Sequence, residues 1–412
     1  MKILHFLLLF FTLSFLHAKE LTVCETCNYK NLNSVINAAK NGDSIFIKKG
    51  TYKISNQKIN KSLTIYGENG TVLDAQNIEG ALIFEATNFT LNNLKIINVG
   101  ISYIKDNAAI KVANSKNFII ENITLENVFF GILIEKSHIG KVRNNKIIGV
   151  PKNEANSGNG IHLWHSSTFE IYNNEVHGMR DGIYFEFVSK SKTYNNLSYN
   201  NIRYGLHFMF SNNNSYYKNH FRNNGAGVAV MFSKFIEMYQ NKFTKNWGSA
   251  SYGLLLKEIY DATIYNNIFQ ENTIGIKGEG NTRINYKNNV FLRNGWAVKI
   301  AGACYTNIFE KNDFMHNSLD LSYNSKVNDN KFINNYWSGY AGYDMDKDGV
   351  GDVPYRPVKL FTYIVNSTPE ALVLLRSLFV DIINFSEKVS PIFTPDNLMD
   401  ENPLMKPIND SI

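Results

Sequence analysis

From about residue 120 to 300, apolar side chains recur at every second position in short runs headed by glycine. The runs GIHLWHS, GIYFEFV, GLHFMFS, GVAVMFS and GLLLKEI place apolar residues one and three positions after that glycine, the period of a strand with one buried face. The heading glycine recurs as Gly131, Gly160, Gly182, Gly205, Gly227, Gly253 and Gly275. A second ladder, of asparagines followed two residues later by an apolar side chain, reads Asn122, Asn145, Asn174, Asn196, Asn219, Asn241, Asn267, Asn289, Asn312 and Asn330. Each of the seven glycines lies 14 residues before an asparagine of that ladder. A constant offset with a variable remainder makes one part of each repeat rigid and confines length variation to the other. The extra residues, in GVPKNEANSGN and TKNWGSASY, therefore leave one edge of the stack, where repeat proteins commonly carry binding surfaces.

A repeat near 22 residues with two or three short strands cannot close as a hairpin sheet, and it fits one coil of an all-β, right-handed parallel β-helix. The phenylalanines two places after the asparagines, Phe221, Phe243, Phe269, Phe291, Phe314 and Phe332, are expected to stack as an internal column at the ~4.8 Å strand spacing. Asparagine suits the turns because it tolerates left-handed backbone and can bond its counterpart in the next coil. Ile45 to Ser338 has room for about 13 coils, a rod of ~60 Å. Residues 31–40, with Leu32, Val35, Ile36 and Ala39 on one side, predict a short helix covering the open N-terminal edge.

Composition sharpens these boundaries. Of 58 asparagines, 53 precede residue 351, so the architecture changes there. Met1–Ala18, with Lys2, an apolar run and then Ala18, has the layout of a cleaved secretory signal, and its loss would leave a net charge near +5, which does not imply nucleic acid. Cys24 and Cys27, in CETC, are expected to form either a local disulfide or a thiolate metal site in an exported protein. The chain thus divides into a signal (1–18), an N-terminal cap (19–44), the β-helix (45–340), an acidic loop (341–357) and a C-terminal helix with an extended tail (358–412).

Alternation places residues two and four after each glycine on an outer sheet face. A solvated face should carry Thr, Ser, Lys and Glu. From His162 to Met231 it carries His162, Trp164, Tyr184, His207, Met209 and Met231 instead, bordered by His165 and the longer insertion. Imidazole and thioether together suit Cu(I). The alternative is a docking surface for another protein, where Met and aromatic residues are adaptable.

After the coils, Asp344, Asp346, Asp348, Gly349 and Asp352 occupy positions one, three, five, six and nine of a calcium loop, with Tyr355 at the twelfth position where the loop wants Glu. Thr368 and Pro369 then read as the start of a helix carrying Leu372, Leu375, Phe379 and Ile382 at helical spacing, followed by a proline-rich extended arm that can cap the last coil or dock on a partner.

The succession GNGIHLWHS, RDGIYFEFV, RYGLHFMFS, GAGVAVMFS and YGLLLKEI, then NNYWSGYAGYDMDKDGVGDVPYRP and PDNLMDENPLMKP, resembles the NosD family of periplasmic accessory proteins for nitrous oxide reductase maturation. The resemblance implies a non-enzymatic partner of an ABC transporter, with its permease and cytoplasmic ATPase, in assembly of the reductase's copper–sulfur centre. Nitrous oxide reductase itself or a copper chaperone would be the further partner. The rival classes are a polysaccharide lyase or epimerase and a surface carbohydrate-binding solenoid, since both use this scaffold. Lyase chemistry needs a base and a cation converging on one face, and Glu135, Glu186 and Glu279 stand there without an adjoining Arg in sequence.

Overall fold

The computed structural model describes residues 18–102, 104–324, 329–389 and 398–409. The export signal expected over Met1–Ala18 lies almost wholly outside the described residues. The chain is a parallel β-helix whose strands pair coil to coil in parallel. A 12-stranded sheet forms one face, and a 25-stranded sheet forms the remaining walls. The long strands Thr87–Ile97 and Lys116–Val128 run around a corner and join those walls. Strand Glu20–Val23 pairs with Ser44–Ile47, so the segment expected to be a cap also adds a coil ahead of the 13 counted from Ile45.

Helix α1 (Leu32–Ala38) buries Leu32, Val35 and Ile36 against the first coils. Asn31 caps its N-terminus by accepting from Ser34 N at 2.9 Å. Lys61 Nζ closes the other end by donating to the carbonyls of Ile36, Asn37 and Ala39 at 2.8, 3.0 and 2.7 Å. Cys24 and Cys27, beside the first strand, are bonded to each other with Cα atoms 5.0 Å apart.

Two sets of asparagines divide the work that the sequence assigned to one. Asn145, Asn174, Asn196, Asn219, Asn241, Asn267, Asn289, Asn312 and Asn335 form a buried ladder in which each Nδ2 donates to Oδ1 of the next, as at Asn219 to Asn241 (3.0 Å). The preceding residues Asn144, Asn173 and Asn195 take the left-handed turn conformation outside it. Asn122 is therefore not a rung, because it is left-handed and bonds Asn92, while the backbone of Ile123 meets Asn145. At the far end Asn335, not Asn330, continues the ladder. The aromatic column shifts with it: Phe221, Phe243, Phe269, Phe291 and Phe314 stack at 4.5–5.5 Å and end on Trp337, at 4.0 Å. Phe332 belongs instead to a second stack, with Tyr286 and Phe309.

A ladder that only donates forward needs a terminal group that only accepts. Asp400, fully buried, supplies it. Its Oδ2 accepts from Asn335 N (2.9 Å), Asn335 Nδ2 (3.0 Å) and Trp337 Nε1 (3.1 Å), and its Oδ1 from Asn334 N (3.1 Å) and Asn402 N (3.3 Å). Tyr355 and Leu404 form antiparallel bridges beside it, to Asp400 and Val350 respectively. Buried Asp313 likewise receives Ile408 N, Asn409 N and Asn409 Nδ2. Residues 398–409 thus lie on the last coils.

The single helix expected from Thr368 onward is two helices. Helix α2 (Leu360–Ser367) ends where that helix was to begin, a 3-10 turn spans Pro369–Leu374, and helix α3 (Leu378–Val389) follows. Phe361 and Val365 of α2 and Val380 of α3 pack with Trp296 and Leu319 of the sheet, while Glu387 caps α2 by accepting from Leu360 N at 2.9 Å through both oxygens. Of the apolar stripe expected at helical spacing, Phe379 and Ile382 are more than half exposed.

Candidate functional site

The glycine column lets one coil corner approach the next. A Cβ on Gly205 would stand 2.7 Å from the carbonyl oxygen of Gly227, so any side chain would push the coils apart. That tight corner keeps the following strands in strict register. Leu133, His162, Tyr184, His207, Ala229 and Leu255 form one outward column, and Glu135, Trp164, Glu186, Met209, Met231 and Lys257 the next. Met209 and Met231 are direct register partners on adjacent coils.

The first column is a packed stack rather than an open patch. The rings of His162 and Tyr184 lie 4.7 Å apart and those of Tyr184 and His207 4.6 Å, with Tyr204 at 4.8 Å from His207. His207 is only 4% exposed. Its Nδ1 lies 3.4 Å from Oδ2 of buried Asp181, and Nε of Arg203 lies 3.9 Å from the same carboxylate. His162 Nδ1 meets Asn159 Nδ2 at 3.4 Å. Burial, and then the Arg180 charge, depress the His162 imidazole to about 4, so it is neutral near pH 7. The Nε2 atoms of both histidines are buried without a hydrogen-bond partner.

Trp164, Met209 and Met231, in the second column, are half-buried, and the Lys136 ammonium lies 5.4 Å from the Trp164 ring centroid. Beside them runs a third column that the sequence reading took up only at His165. Counting five places after the glycine gives His165, Phe187, Phe210 and Phe232, whose rings stack at 4.6, 5.2 and 5.1 Å. Phe187 and Phe210 are 43% and 41% exposed. All four have φ between 46° and 53°. The coil requires a left-handed residue at this corner, as Lys136 and Glu258 also show, and bulky side chains pay about 1–2 kcal/mol for it. Asparagine serves the neighbouring corner at lower cost, and here the stacking of the four rings offsets part of that cost while leaving their outer faces open. The signal was available in the same glycine arithmetic, one column further along.

The two insertions open the other edge of this sheet, and the first, with Val150 and Pro151, helps line a cleft that also includes Ile101, Phe129 and Met179. At the C-terminal end, Asp344, Asp346 and Asp348 bring carboxylate oxygens within 4.8 Å of one another. Asp344 accepts from Lys347 N (2.6 Å) and Gly349 N (3.0 Å), and Asp352 from Met345 N (2.8 Å). Tyr355 packs against Trp337, with ring centroids 5.3 Å apart, and faces the core instead of closing the loop.

Lyase-type chemistry finds a different arrangement from the one the sequence suggested. Glu135 pairs with Lys111 at 2.9 Å and Glu279 with Lys277 at 2.5 Å, while an arginine does meet a carboxylate at Arg203 and Asp181. Asp181 is 1% exposed, so that pair offers no open face to a polymer. Among the described residues no helix is long and apolar enough to cross a membrane.

Residues 149–342, which include His162 to Met231, match the model of a family described as "Periplasmic copper-binding protein (NosD)". A relative from Stutzerimonas stutzeri, named "Probable ABC transporter binding protein NosD", is 25% identical over 368 residues, covering 84% of each chain. Among solved structures, the mannuronan C-5 epimerase AlgE6 A-module of Azotobacter vinelandii superposes with a TM-score of 0.62 at 14% identity over 73% of this chain and 92% of its own. PfbA, a surface adhesin of Streptococcus pneumoniae, gives 0.52 at 13% identity over 74% and 85%. At these identities the two structural likenesses are of fold alone.

Proposed function

We propose that this chain, a NosD-like parallel β-helix protein, is a non-catalytic periplasmic partner of an ABC transporter that acts in maturing the copper–sulfur centre of nitrous oxide reductase. The observation that carries the reading is the two-column surface of Trp164, Met209 and Met231 beside His165, Phe187, Phe210 and Phe232. Such a run of half-exposed aromatic and thioether side chains suits a protein partner, and buried aromatics dominate interfaces once covered. Copper would be cargo at its inner margin. Met209 and Met231 are adjacent, His207 is two residues before Met209, and its Nε2 has no hydrogen-bond partner, leaving an imidazole nitrogen of the kind soft Cu(I) takes alongside sulfur. His207 is buried against Tyr184 and Tyr204, so neighbouring side chains must yield before metal could reach that nitrogen.

Two variants separate docking from cargo binding. Trp164→Ala with Phe210→Ala should abolish co-purification with the transporter permease while leaving the melting temperature unchanged. Met209→Ala with Met231→Ala should remove Cu(I) binding by the isolated protein. A protein that still co-purifies after the aromatic changes would overturn the docking surface, and undiminished Cu(I) binding after the Met changes would overturn the cargo site. Asp344, Asp346, Asp348 and Asp352 are proposed to hold calcium, as a brace for the last coil rather than for chemistry.

A further inference from the structure

Past the aromatic columns the same sheet face becomes basic. The column of His162, Tyr184 and His207 continues through Ala229 and Leu255 to Lys277 and Lys299, which are register partners on adjacent coils. Between this part of the sheet and helix α2 runs a cleft of ≈ 640 Å³ lined by Lys277, Glu279, Lys299, Ser322, Tyr363 and Asn366 among others. Its volume falls within the range of ~300–1,000 Å³ usual for small-molecule sites.

The charges in this cleft do not balance. Lys277 has Glu279 two residues along its own strand, at 2.5 Å. The equivalent residue on the next coil is Ala301, and the register partners of Lys299 are Lys277 and Ser322. Lys299 has no acidic partner among the described residues. Its ammonium lies 4.2 Å from the centroid of the Trp296 ring. Burial, and then the neighbouring Lys277, hold it below the ordinary lysine range. Several outward lysines elsewhere on the solenoid are matched by an acid on a neighbouring coil, as Lys95 is with Glu126 and Lys141 with Glu170. A half-buried cation is costly without a counter-charge, and here the open side of the cleft is the place from which one can come.

The opposite wall is neutral and hydrogen-bonding. Ser322 Oγ donates to Asn366 Oδ1 at 3.0 Å, tying the sheet to α2 and fixing the amide at the rim, and the Tyr363 side chain stands one turn earlier on the same helix. One uncompensated positive charge facing hydroxyl and amide groups matches a ligand with one carboxylate and several hydroxyls. We propose that this cleft binds a monoanionic hydroxylated small molecule of the uronic acid class, with its carboxylate on Lys299 and its hydroxyls against Ser322, Tyr363 and Asn366.

Calorimetric titration of the full chain with galacturonate, glucose and inorganic phosphate tests this. Galacturonate should bind saturably and glucose at least about tenfold more weakly, since glucose lacks the carboxylate that would meet Lys299. Lys299→Met should weaken galacturonate binding by at least about tenfold without changing the melting temperature. Glu279→Gln, which frees Lys277 as a second cation, should tighten it, and this opposite sign distinguishes ligand binding from loss of fold. Absence of galacturonate binding, equal affinity for glucose, or an unchanged affinity in Lys299→Met would each overturn the proposal. Phosphate binding as tight as galacturonate would overturn its hydroxylated half.

Discussion

Replacing Asp400 by asparagine keeps the shape of the side chain and removes what the ladder's end requires of it. Five N–H groups converge on the carboxylate, three on Oδ2 and two on Oδ1. The amide can keep the three donors on its one oxygen, at the strength of neutral bonds. Its NH2 group must then face Asn334 N and Asn402 N, donor against donor. Two lost bonds at about 1 kcal/mol each, with a weakening of the others from charged to neutral, come to about 3 kcal/mol. Stacked repeats lose structure from their ends, because each coil is held by its neighbours. The loss should therefore appear locally, as roughly 100-fold faster amide exchange in Lys331–Ile333 and Tyr336–Trp337. Strands near the middle, such as Ala226–Met231, should be unchanged. Hydrogen exchange read by mass spectrometry resolves this. Protection within twofold of the parent in the last two strands would refute the reasoning, and so would an even loss along the whole rod.

His162 has a depressed folded-state pKa of about 4. Between there and its unfolded value near 6.5 the unfolded chain binds the extra proton, so stability should fall by up to about 3 kcal/mol as the pH is lowered through that window. Chemical denaturation at pH 7 and pH 4.5 should show this share missing in His162→Phe, and an identical pH dependence in both proteins would count against it. Calcium should raise the melting temperature of the parent and leave Asp344→Asn with Asp348→Asn unmoved, as binding linkage requires; equal melting of both with and without the ion would remove the calcium assignment.

The coil was legible in the sequence because each repeat states it twice, once in the period-two runs and once in the fixed Gly-to-Asn distance. Legibility failed where the repeat stops being self-similar. At the last coil, tryptophan replaces phenylalanine in the stack, and counting onward by apolar residues led to Asn330 and Phe332 in place of Asn335 and Trp337. The outer columns were assigned correctly, but their exposure was not, because His207 packs against Tyr184, Tyr204 and Asp181, contacts set by three-dimensional register rather than by its own strand alone. Thr368 and Pro369 carry the marks of a helix start and in fact follow the end of α2, since a capping residue and a proline also suit the break between two helices. Asp400 could not be found from local pattern at all. Its partners are 63 to 66 residues away in sequence, apart from Asn402.

The return of the chain onto the last coils has a consequence for α2 and α3. The helices leave the rod after Val358, and the chain is stitched down again from Leu398, so they sit on a loop anchored at both ends. From Val389 to Leu398 there are nine residue steps, which span at most ~30 Å. If a transporter drew α3 off the sheet, the helix could travel no further than that before pulling on Asp400 and the rung it closes. A helix released within such a radius remains at an effective concentration of the order of millimolar. It would reseat by a first-order process, independent of how much protein is present. Release and reseating could then repeat without the last coil being left uncovered.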